Sequence, residues 1–510
     1  MRIQMLEGEC WWGGIVDFGA QMPWTAESEC TIDPTTMGSD QRSPLFLSNK
    51  GRCLWSEKPF VLRFCKGTLE TDDQVNLEHC NGGLKEAHAL AARSMFSGSG
   101  FPNERFFEVP QYNTWIELMY NQNQKQILEY AHAIVDNGME PGILMIDEGW
   151  SEDYGVFDFY PGRFEDPKAM MDELHKIGFS VMLWVTPHIS PDSNTFRALR
   201  DTDILLRDET GNFALREWWN GFSCVLDLSA PAAVSWLHEQ LKAIQEKYGV
   251  DGFKFDAGDP AMYRATDKTA QERTPLDCTA DYAAFASHYP FNELRAVWNE
   301  GGRPLVCRLQ DKLHTWDESR GIGALIPNMI AQGLLGYYYG CPDMIGGGDY
   351  ASFIGNKQID EELYIRWLEA SLLCPMIQFS IAPWRILSEE NDRIVKKLIT
   401  LRKRYTPYIS ELAKHAAENR EPILRHVCYE FPNQGYETER GMYMLGKKYL
   451  VVPMLKKGKT SRMVTLPEGS WLESDGTHYT GGITLKLEYP LDRLYVFERL
   501  SADPEIHKKS

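Results

Sequence analysis

The sequence predicts an α/β protein built around a (β/α)8 TIM barrel, with an N-terminal β-sandwich-like region and a C-terminal all-β domain. Three observations support this prediction. Residues 1–105 contain short strand-like runs between turns and no long helical period. Residues 106–408 alternate apolar, strand-like runs with amphipathic helices, a pattern typical of a parallel sheet. Strand-like runs without such helices return in residues 409–510, where we expect a β-sandwich.

The N-terminal strands are indicated by the segments GGIVDFGAQM, RSPLFLS and KPFVLRFCKGTLE. The region is short for an independent sandwich, so its core is expected to depend on the barrel. In the central region, strands are predicted at PGILMIDEGW, FSVMLWVTP and VDGFKFDAGDP, with a long amphipathic helix at PAAVSWLHEQLKAIQEKYG. Each strand ends on polar or aromatic residues, and active sites of such barrels lie at these carboxyl ends.

Composition excludes several classes of partner. The formal net charge is −19, which opposes binding to nucleic acid and to anionic membrane surfaces. No apolar stretch reaches the length of about 18 residues that a membrane span needs. The start MRIQMLEGECWWGG does not resemble a secretion signal. A small-molecule partner is expected instead, and homo-oligomerisation is left open.

Cysteine usage bears on the compartment and on metals. The 11 cysteines are scattered, odd in number and without a CxxC pair. This pattern argues against a disulfide framework and favours a reducing compartment, so we expect a cytoplasmic protein. A zinc site is not expected, and the chemistry proposed below needs neither a metal nor an organic cofactor.

The segment GFKFDAGDP is the most informative one for chemistry. Residues two apart in a strand share a face, so Lys254 and Asp256 should point the same way, into the barrel mouth. A neighbouring cation favours the charged form of a carboxylate, as a nucleophile that attacks an anomeric carbon requires. The alternative is an ion pair between Lys254 and Asp256 that only closes the end of the barrel.

A second carboxylate follows a later strand in RPLVCRLQDKLHTW. A retaining glycosidase needs a nucleophile and an acid/base about 5–5.5 Å apart. Asp311 lies at the start of a loop and can face Asp256 across the mouth. An ionised Asp256 would favour the proton-bearing form of Asp311, whereas Arg308 would oppose it, and the sequence leaves that balance open. Taken alone, Asp311 could also be a surface acid.

Further polar and aromatic residues end strands in the same way. Asp147 and Glu148 follow one strand, and Asp147 is a candidate hydroxyl-binding residue or a loop cap. Asp343 precedes three glycines, so a turn role competes with sugar binding. Each tryptophan near a strand end could be a core residue, but as a group they suggest a sugar-binding face: Trp115, Trp184, Trp219, Trp316 and Trp384.

These segments resemble glycoside hydrolase family 31 in the family's own order, from about residue 105 to about residue 490. GFKFDAGD resembles the family's nucleophile segment, and DPKAMMDELHKIGFSVMLWVTPHIS resembles the stretch leading into its third strand. MLGKKYLVVPMLKKGKTSRMVTLPEGSW resembles its C-terminal β-domain. The resemblance implies that Asp256 is the nucleophile and Asp311 the acid/base. It implies substrate-binding or flanking roles for the following residues: Lys254, Arg308, Asp147, Trp184, Asp343, Trp316, Trp384 and Trp12.

Within the family, RLQDKLHTW and IPNMIAQGLLGYYYGCPDMIGGG resemble the myogenesis-regulating glycosidase group. CRLQD lacks the Trp-Gly-Asp form found around the acid/base of many family α-glucosidases. CPMIQFSIAPW lacks the Arg-x-His that many family α-glucosidases and α-xylosidases carry. Both departures fit the resembled group, which is associated with α-galactosidase activity. The segment WWGGIVDFG could supply a loop that reaches over the barrel mouth.

The expected function is therefore a retaining, exo-acting α-glycosidase that forms a covalent glycosyl-enzyme, with an α-galactoside as substrate. An α-glucoside, an α-xyloside or an N-acetyl-α-galactosaminide are alternatives with the same mechanism. A transglycosylase would differ only in the acceptor. A non-catalytic barrel that binds a glycan or a protein is the alternative from another class.

Overall fold

The computed structural model describes residues 1–96, 98–355 and 358–500. Three regions follow one another along the chain, as predicted. The last ten residues of the predicted C-terminal domain lie outside the described residues.

The N-terminal region consists of two four-stranded antiparallel sheets, ordered β1-β7-β6-β3 and β2-β4-β5-β8, followed by one helix. Its elements are β1 (Arg2–Gln4), β2 (Trp11–Ile15), β3 (Glu29–Ile32), β4 (Arg42–Ser48), β5 (Arg52–Trp55), β6 (Leu62–Cys65), β7 (Thr68–Glu70), β8 (Asn76–His79) and α1 (Leu84–Ser94). Strand β4 is buried at all its positions, and at Arg42 it bridges in parallel to Trp298 of the barrel. The core of this region thus continues into the barrel.

The central region contains eleven strands, eight of which form the barrel. They are β9 (Gln111–Asn113), β10 (Ile143–Ile146), β11 (Ser180–Val185), β12 (His188–Ile189), β13 (Arg216–Trp218), β14 (Gly221–Val225), β15 (Gly252–Phe255), β16 (Asn292–Leu294), β17 (Val306–Arg308), β18 (Tyr339–Cys341) and β19 (Gln378–Phe379). The parallel sheet runs β18-β17-β16-β15-β11-β10-β9-β19. An isolated parallel bridge between Met344 and Gln378 joins its two ends, so the sheet closes into a barrel. This confirms the predicted fold class.

Helices cover the outside of the barrel. They are α2 (Arg105–Glu108), α3 (Thr114–Leu118), α4 (Gln124–Asp136), α5 (Pro167–Ile177), α6 (Asn194–Leu199), α7 (Pro231–Tyr248), α8 (Pro275–Ala286), α9 (Leu325–Leu334), α10 (Glu361–Ser371), α11 (Pro383–Ile386), α12 (Glu389–Lys403) and α13 (Thr406–Asn419). Helix α5 begins with a proline after the N-cap Asp166 and ends at Gly178, whose positive φ of 115° suits a residue without Cβ. Among the described residues, no helix is both long and apolar enough to cross a bilayer.

The connection between β11 and β15 carries an insertion over the carboxyl end of the barrel. Strands β12, β14 and β13 form a small antiparallel sheet there, and the β13–β14 hairpin has its tip at Trp219 and Asn220. We call this element the mouth hairpin.

The C-terminal region is β-rich, as predicted. It contains β20 (Leu424–Arg425), α14 (Val427–Glu430), β21 (Tyr443–Leu445), β22 (Tyr449–Val452), β23 (Ser461–Thr465), β24 (Ser470–Glu473), β25 (His478–Thr480), β26 (Thr484–Glu488) and β27 (Tyr495–Leu500). A six-stranded sheet runs β20-β21-β22-β27-β24-β25, and β23 pairs with β26.

The cysteines form no disulfide, and all 11 thiols are free. Burial raises the pKa of several of them, such as that of Cys10, to about 11. These thiols are therefore protonated and poorly reactive at neutral pH. The reducing compartment inferred from the sequence stays a prediction.

Candidate active site

Acidic and basic side chains converge at the carboxyl end of the barrel because each directly follows, or ends, a parallel strand. Asp147 follows β10, Asp256 follows β15, and Arg295 follows β16. Arg308 ends β17 and Asp311 lies three residues later. This is the edge at which barrels of this kind hold their active sites.

Asp256 is held as a carboxylate by three donors. Its Oδ2 accepts a hydrogen bond from the indole Nε1 of Trp184 at 3.0 Å. Its Oδ1 accepts one from the backbone N of Ala257 at 2.9 Å and lies 3.5 Å from Nε of Arg295. The side chain is 16% exposed, so it faces the mouth without being open to bulk water.

Burial alone would raise the pKa of Asp256, but nearby charges reverse the effect. Arg295, Lys254 and Arg308, together with the Trp184 hydrogen bond, hold the pKa of Asp256 well below its usual range. The carboxylate is therefore ionised at neutral pH, as a nucleophile must be.

Lys254 does not pair directly with Asp256, although the two lie on the same face of the strand. Its Nζ donates to Oδ2 of Asp147 at 2.6 Å, and both side chains are almost fully buried. Burial would lower the pKa of Lys254, but Asp147 raises it, so the ammonium persists. Lys254 thus acts on Asp256 through its charge, and the structure does not support the alternative of a Lys254–Asp256 ion pair.

Arg308 links the loop of Asp311 to two buried carboxyl groups. Its Nη1 donates to Oδ1 of Asp311 and to Oδ1 of Asp343, each at 2.8 Å, and its Nε lies 3.4 Å from Oε1 of Glu293. Asp311 is the exposed member of this group, with 41% of its side chain open to solvent. One guanidinium therefore faces three carboxyl groups.

Asp343 supports the Asp311 loop from behind. Its Oδ2 accepts hydrogen bonds from the backbone N of Lys312 at 2.8 Å and of Gly348 at 2.9 Å. The residue is fully buried, so it has no surface for a sugar, and its predicted substrate-binding role is corrected to a loop anchor. Burial raises the pKa of Asp343 to about 7, with Arg308 opposing and Asp311 adding to the rise.

Sequence reasoning missed Arg295. Besides contacting Asp256, its guanidinium donates to both carboxylate oxygens of Asp259, each at 2.7 Å. The only signal was its position after FNEL, and that segment is too short and too polar to be recognised as a barrel strand.

Glu148 was noticed at a strand end but given no role. Its Oε1 accepts hydrogen bonds from the Tyr154 hydroxyl and from Nδ2 of Asn220, at the tip of the mouth hairpin. Burial raises the pKa of Glu148 to about 7; Tyr154 opposes the rise and Asp147 and Asp256 add to it. Glu148 therefore connects the strand end that carries Asp147 to the tip of the mouth hairpin.

Aromatic side chains line the rim beside Glu148. Trp219 is 49% exposed at the hairpin tip, and Phe222 and Tyr120 are also exposed. The hydroxyl of Tyr120 donates to Oδ1 of Asn220 at 3.3 Å, and its ring packs edge-on against Trp115. Exposed aromatic faces next to a polar cleft suit the apolar faces of sugar rings.

The other predicted tryptophans lie elsewhere. Trp12 is 2% exposed and packs against His426 of the C-terminal region, so its substrate-binding prediction is corrected to a core role. Trp384 stacks on Tyr130 of helix α4. The indole of Trp316 donates to Asp360 at 3.0 Å, and Asp360 also accepts a hydrogen bond from Lys457 of the C-terminal region. No contact joins Trp384 or Trp316 to the carboxylates at the mouth within the described part of the chain.

No metal site is present in the described ranges, where no group of three or more His, Cys, Asp and Glu side chains could hold an ion. The barrel mouth therefore holds the ionised carboxylate of Asp256 and a second carboxyl group, Asp311, on the loop after β17. The guanidinium groups of Arg295 and Arg308 contact these two carboxyl groups. This set suits nucleophilic attack combined with proton transfer.

Comparison with known proteins agrees with this architecture. Residues 110–412 match the glycosyl hydrolases family 31 TIM-barrel domain, and residues 420–501 match the glycosyl hydrolase family 31 C-terminal domain. The chain is 31% identical over 417 residues to the myogenesis-regulating glycosidase of Mus musculus, which covers 79% of this chain. It is 26% identical over 428 residues to the 1,3-alpha-isomaltosidase of Kribbella flavida, covering 73% of this chain. The chain spans 58% of the length of each of these relatives.

Solved structures show the same fold. The GH31 dextranase of Flavobacterium johnsoniae, complexed with glucose, superposes with a TM-score of 0.84 at 20% identity, covering 98% of this chain and 66% of the dextranase. The cycloalternan-degrading enzyme of Trueperella pyogenes gives a TM-score of 0.85 at 19% identity, covering 98% and 81%. The family match extends over more than half of the sequence and agrees with the barrel and the C-terminal sheet. The chain belongs to glycoside hydrolase family 31.

Proposed function

We propose that this protein is a retaining, exo-acting α-glycosidase and that its substrate is an α-galactoside. The observation that carries the proposal is the electrostatic contrast between two carboxyl groups at the barrel mouth. Asp256 is kept ionised by Arg295, Lys254 and Trp184. Asp311 is more exposed and shares Arg308 with two other carboxyl groups.

Asp256 is the nucleophile. In the first step its carboxylate attacks C1 of the sugar, the glycosidic C–O bond breaks, and a covalent glycosyl-enzyme forms. The charge of the carboxylate also stabilises the oxocarbenium-like transition state before the bond is complete. Trp184 fixes the orientation of Asp256 by donating to Oδ2.

Asp311 is the acid/base. Arg308 orients Asp311 by one hydrogen bond and is shared with the buried carboxyl groups of Asp343 and Glu293. Asp311 is the member of this group that reaches solvent, and in the first step it gives a proton to the leaving oxygen. In the second step it takes a proton from water, which attacks C1 and releases the sugar with its α configuration retained.

The preference for galactose rests on the likeness to the myogenesis-regulating glycosidase. It also fits the end of β19, where many family α-glucosidases carry an Arg-x-His. Here Gln378 is buried and donates to Glu293 at 2.7 Å, so this strand end presents neutral groups. The relatives named isomaltosidase, alpha-glucosidase and alpha-xylosidase make an α-glucoside or α-xyloside the second candidate.

A panel of aryl α-glycosides tests the sugar. We expect release of free monosaccharide from the aryl α-galactoside, with α-galactose as the first anomer seen by NMR. Faster turnover of the glucoside, xyloside or N-acetylgalactosaminide would change the assigned sugar specificity but not the proposed mechanism. Binding without turnover of any glycoside would favour the non-catalytic barrel.

Azide separates the roles of the two carboxylates. Asp256→Ala should retain less than about 1% of the wild-type rate, since loss of a nucleophile costs several kcal/mol of barrier. Azide should restore turnover in Asp256→Ala as the β-glycosyl azide, because it attacks from the face that the nucleophile leaves empty. In Asp311→Ala it should give the α-glycosyl azide, because it attacks the glycosyl-enzyme. The same azide anomer from both variants would contradict the assignment.

A further inference from the structure

The segment 39–42 of the N-terminal region, which we call the strap, lies across the ends of the barrel strands that carry the arginines of the site. The backbone N of Arg42 donates to the carbonyl of Val297 at 3.0 Å, and the carbonyl of Arg42 accepts from the N of Asn299 at 2.9 Å. The strap is therefore bound to the segment after β16 much as an additional strand would be. It belongs to the barrel mouth although it comes from another region of the chain.

Gln41 binds behind both arginines of the site. Its Nε2 donates to the backbone carbonyl of Arg308 at 3.1 Å and also to that of Arg295. Its Oε1 accepts from Nε2 of Gln332 at 2.8 Å, so the amide is fixed at both ends. One strap side chain thus sets the backbone positions of the residues whose guanidinium groups contact Asp256 and Asp311.

Gln310, the neighbour of Asp311, is held almost entirely by N-terminal residues. Its backbone N donates to Oδ1 of Asp40 at 2.5 Å, and its Nε2 donates to Oδ1 of Asp17 at 2.6 Å. Its Oε1 accepts from the hydroxyl of Ser39. These contacts leave Gln310, and therefore the start of the Asp311 loop, little freedom to move.

The strap also reaches the surroundings of the nucleophile. The backbone carbonyl of Ser39 accepts from Nη1 of Arg295 at 2.7 Å, while Nε of the same guanidinium lies 3.5 Å from Asp256. Strap contacts therefore lie one residue or one side chain away from each catalytic carboxyl group.

Asp17 and Asp40 lie at the centre of this network, where the backbone N of Asp40 donates to Oδ2 of Asp17 at 3.3 Å. Asp40 is fully buried, and the nearest cation, Nζ of Lys312, is 3.9 Å from its Oδ2. Burial raises the pKa of Asp40, and the Asp17 charge raises it further; burial would also raise the pKa of Asp17, but the hydrogen bond from Asp40 and the charge of Lys312 lower it. Both shifts favour a proton on Asp40 and an ionised Asp17, because two facing carboxylates repel each other.

We propose that Asp40, with Asp17 and Ser39, is a positioning residue that fixes Asp311 for proton transfer through Gln310, while Gln41 and the carbonyl of Ser39 hold Arg295 against Asp256. This inference rests on the proposed glycosidase function. It makes the N-terminal region part of the catalytic apparatus, although none of its residues needs to touch the substrate.

The experiment exploits the leaving group. Hydrolysis of a galactosyl disaccharide needs Asp311 to protonate the glycosidic oxygen. In α-galactosyl fluoride the leaving group is fluoride ion, which departs with little help from an acid. Asp40→Ala removes the acceptor for Gln310 and should lower kcat for the disaccharide about 10-fold or more, with less than about 3-fold loss on the fluoride. Asp40→Asn keeps the acceptor for Gln310 and removes one of the two facing carboxylates, so it should stay within about 3-fold of wild type on both substrates.

Glu9→Gln is the matched control. Glu9 is a buried carboxylate of the same region that pairs with Arg52, away from the strap. Its replacement should lower thermal stability without any dependence on the leaving group. Should Asp40→Ala fail to fold, Gln310→Met tests the same network, since it loses the contacts to Asp17 and Ser39, and the same selective loss is expected.

Equal losses on the two substrates, for Asp40→Ala or for Gln310→Met, would overturn the inference while leaving the proposed function intact. Failure of Asp40→Asn to restore the disaccharide rate would also overturn it. A wild type that hydrolyses neither these substrates nor any other glycoside would overturn the proposed function and the inference with it.

Discussion

Replacing Lys254 by Met should destabilise the barrel, because it leaves Asp147 as a buried charge without its partner. The two side chains are 5% and 3% exposed and their charged atoms are 2.6 Å apart, so little water can replace the ammonium. Removing one partner of a buried ion pair costs about 3–5 kcal/mol of folding free energy. The remaining hydrogen bond from the backbone N of Glu148 to Asp147, at 2.9 Å, places the expected loss near the lower end, about 3 kcal/mol.

Urea unfolding, followed by tryptophan fluorescence, measures this loss of stability. Lys254→Met combined with Asp147→Asn should recover most of it, because a neutral amide can remain buried at lower cost. Lys168→Met serves as control, since the Lys168–Asp172 pair is exposed and contributes about 0–1 kcal/mol. A loss no larger than that of Lys168→Met, or no recovery in the double variant, would refute the reasoning.

Three further outcomes are expected. Trp184→Phe removes the indole donor to Asp256 and should lower kcat/KM about 10-fold or more, in line with the value of a hydrogen bond to a charged group; an unchanged kcat/KM would contradict the orienting role. Glu148→Gln should raise stability relative to wild type at pH 8 more than at pH 5, by up to about 3 kcal/mol, because the pKa of Glu148 is raised to about 7 by burial and wild type loses stability as pH rises through this range; calorimetry at the two pH values checks the sign. Trp219→Ala should raise KM for a disaccharide about 3- to 10-fold and leave stability within about 0.5 kcal/mol, since the ring is exposed at the rim; a parallel assay with α-galactosyl fluoride should show no such rise.

The central part of the fold could be predicted because local patterns specify it. The switch from short strand-like runs to alternating strands and helices is visible in the sequence, and the eight-stranded parallel sheet follows from it. The placement of Asp256 at a strand end required only that GFKF be a strand. For Asp311, a strand end and a short loop sufficed to bring it to the same edge of the barrel.

Partners distant in sequence could not be predicted. Lys254 shares a face with Asp256, yet its ion pair is with Asp147, a residue after β10 that it reaches across the intervening β11. Arg295 follows a three-residue strand with a polar interior, so no periodicity marks it. Trp12 was misassigned because burial under the C-terminal region depends on a contact with His426, at the far end of the chain.

The seam of the barrel has a consequence for motion. Strands β18 and β19 meet through the isolated bridge at Met344 and Gln378, and β16 and β17 share one paired position, whereas β11 shares ladders of four positions with β10 and with β15. Segments joined by few hydrogen bonds open at lower free energy than the cooperative core. The seam borders the glycine-rich turn whose Gly348 is bound to Asp343, so local opening there would loosen the acid/base side and leave the Asp256 side closed. Amide hydrogen exchange should accordingly be faster for residues 344–348 than for β15. Proton transfer by Asp311 would then depend on a less rigid part of the barrel than nucleophilic attack by Asp256.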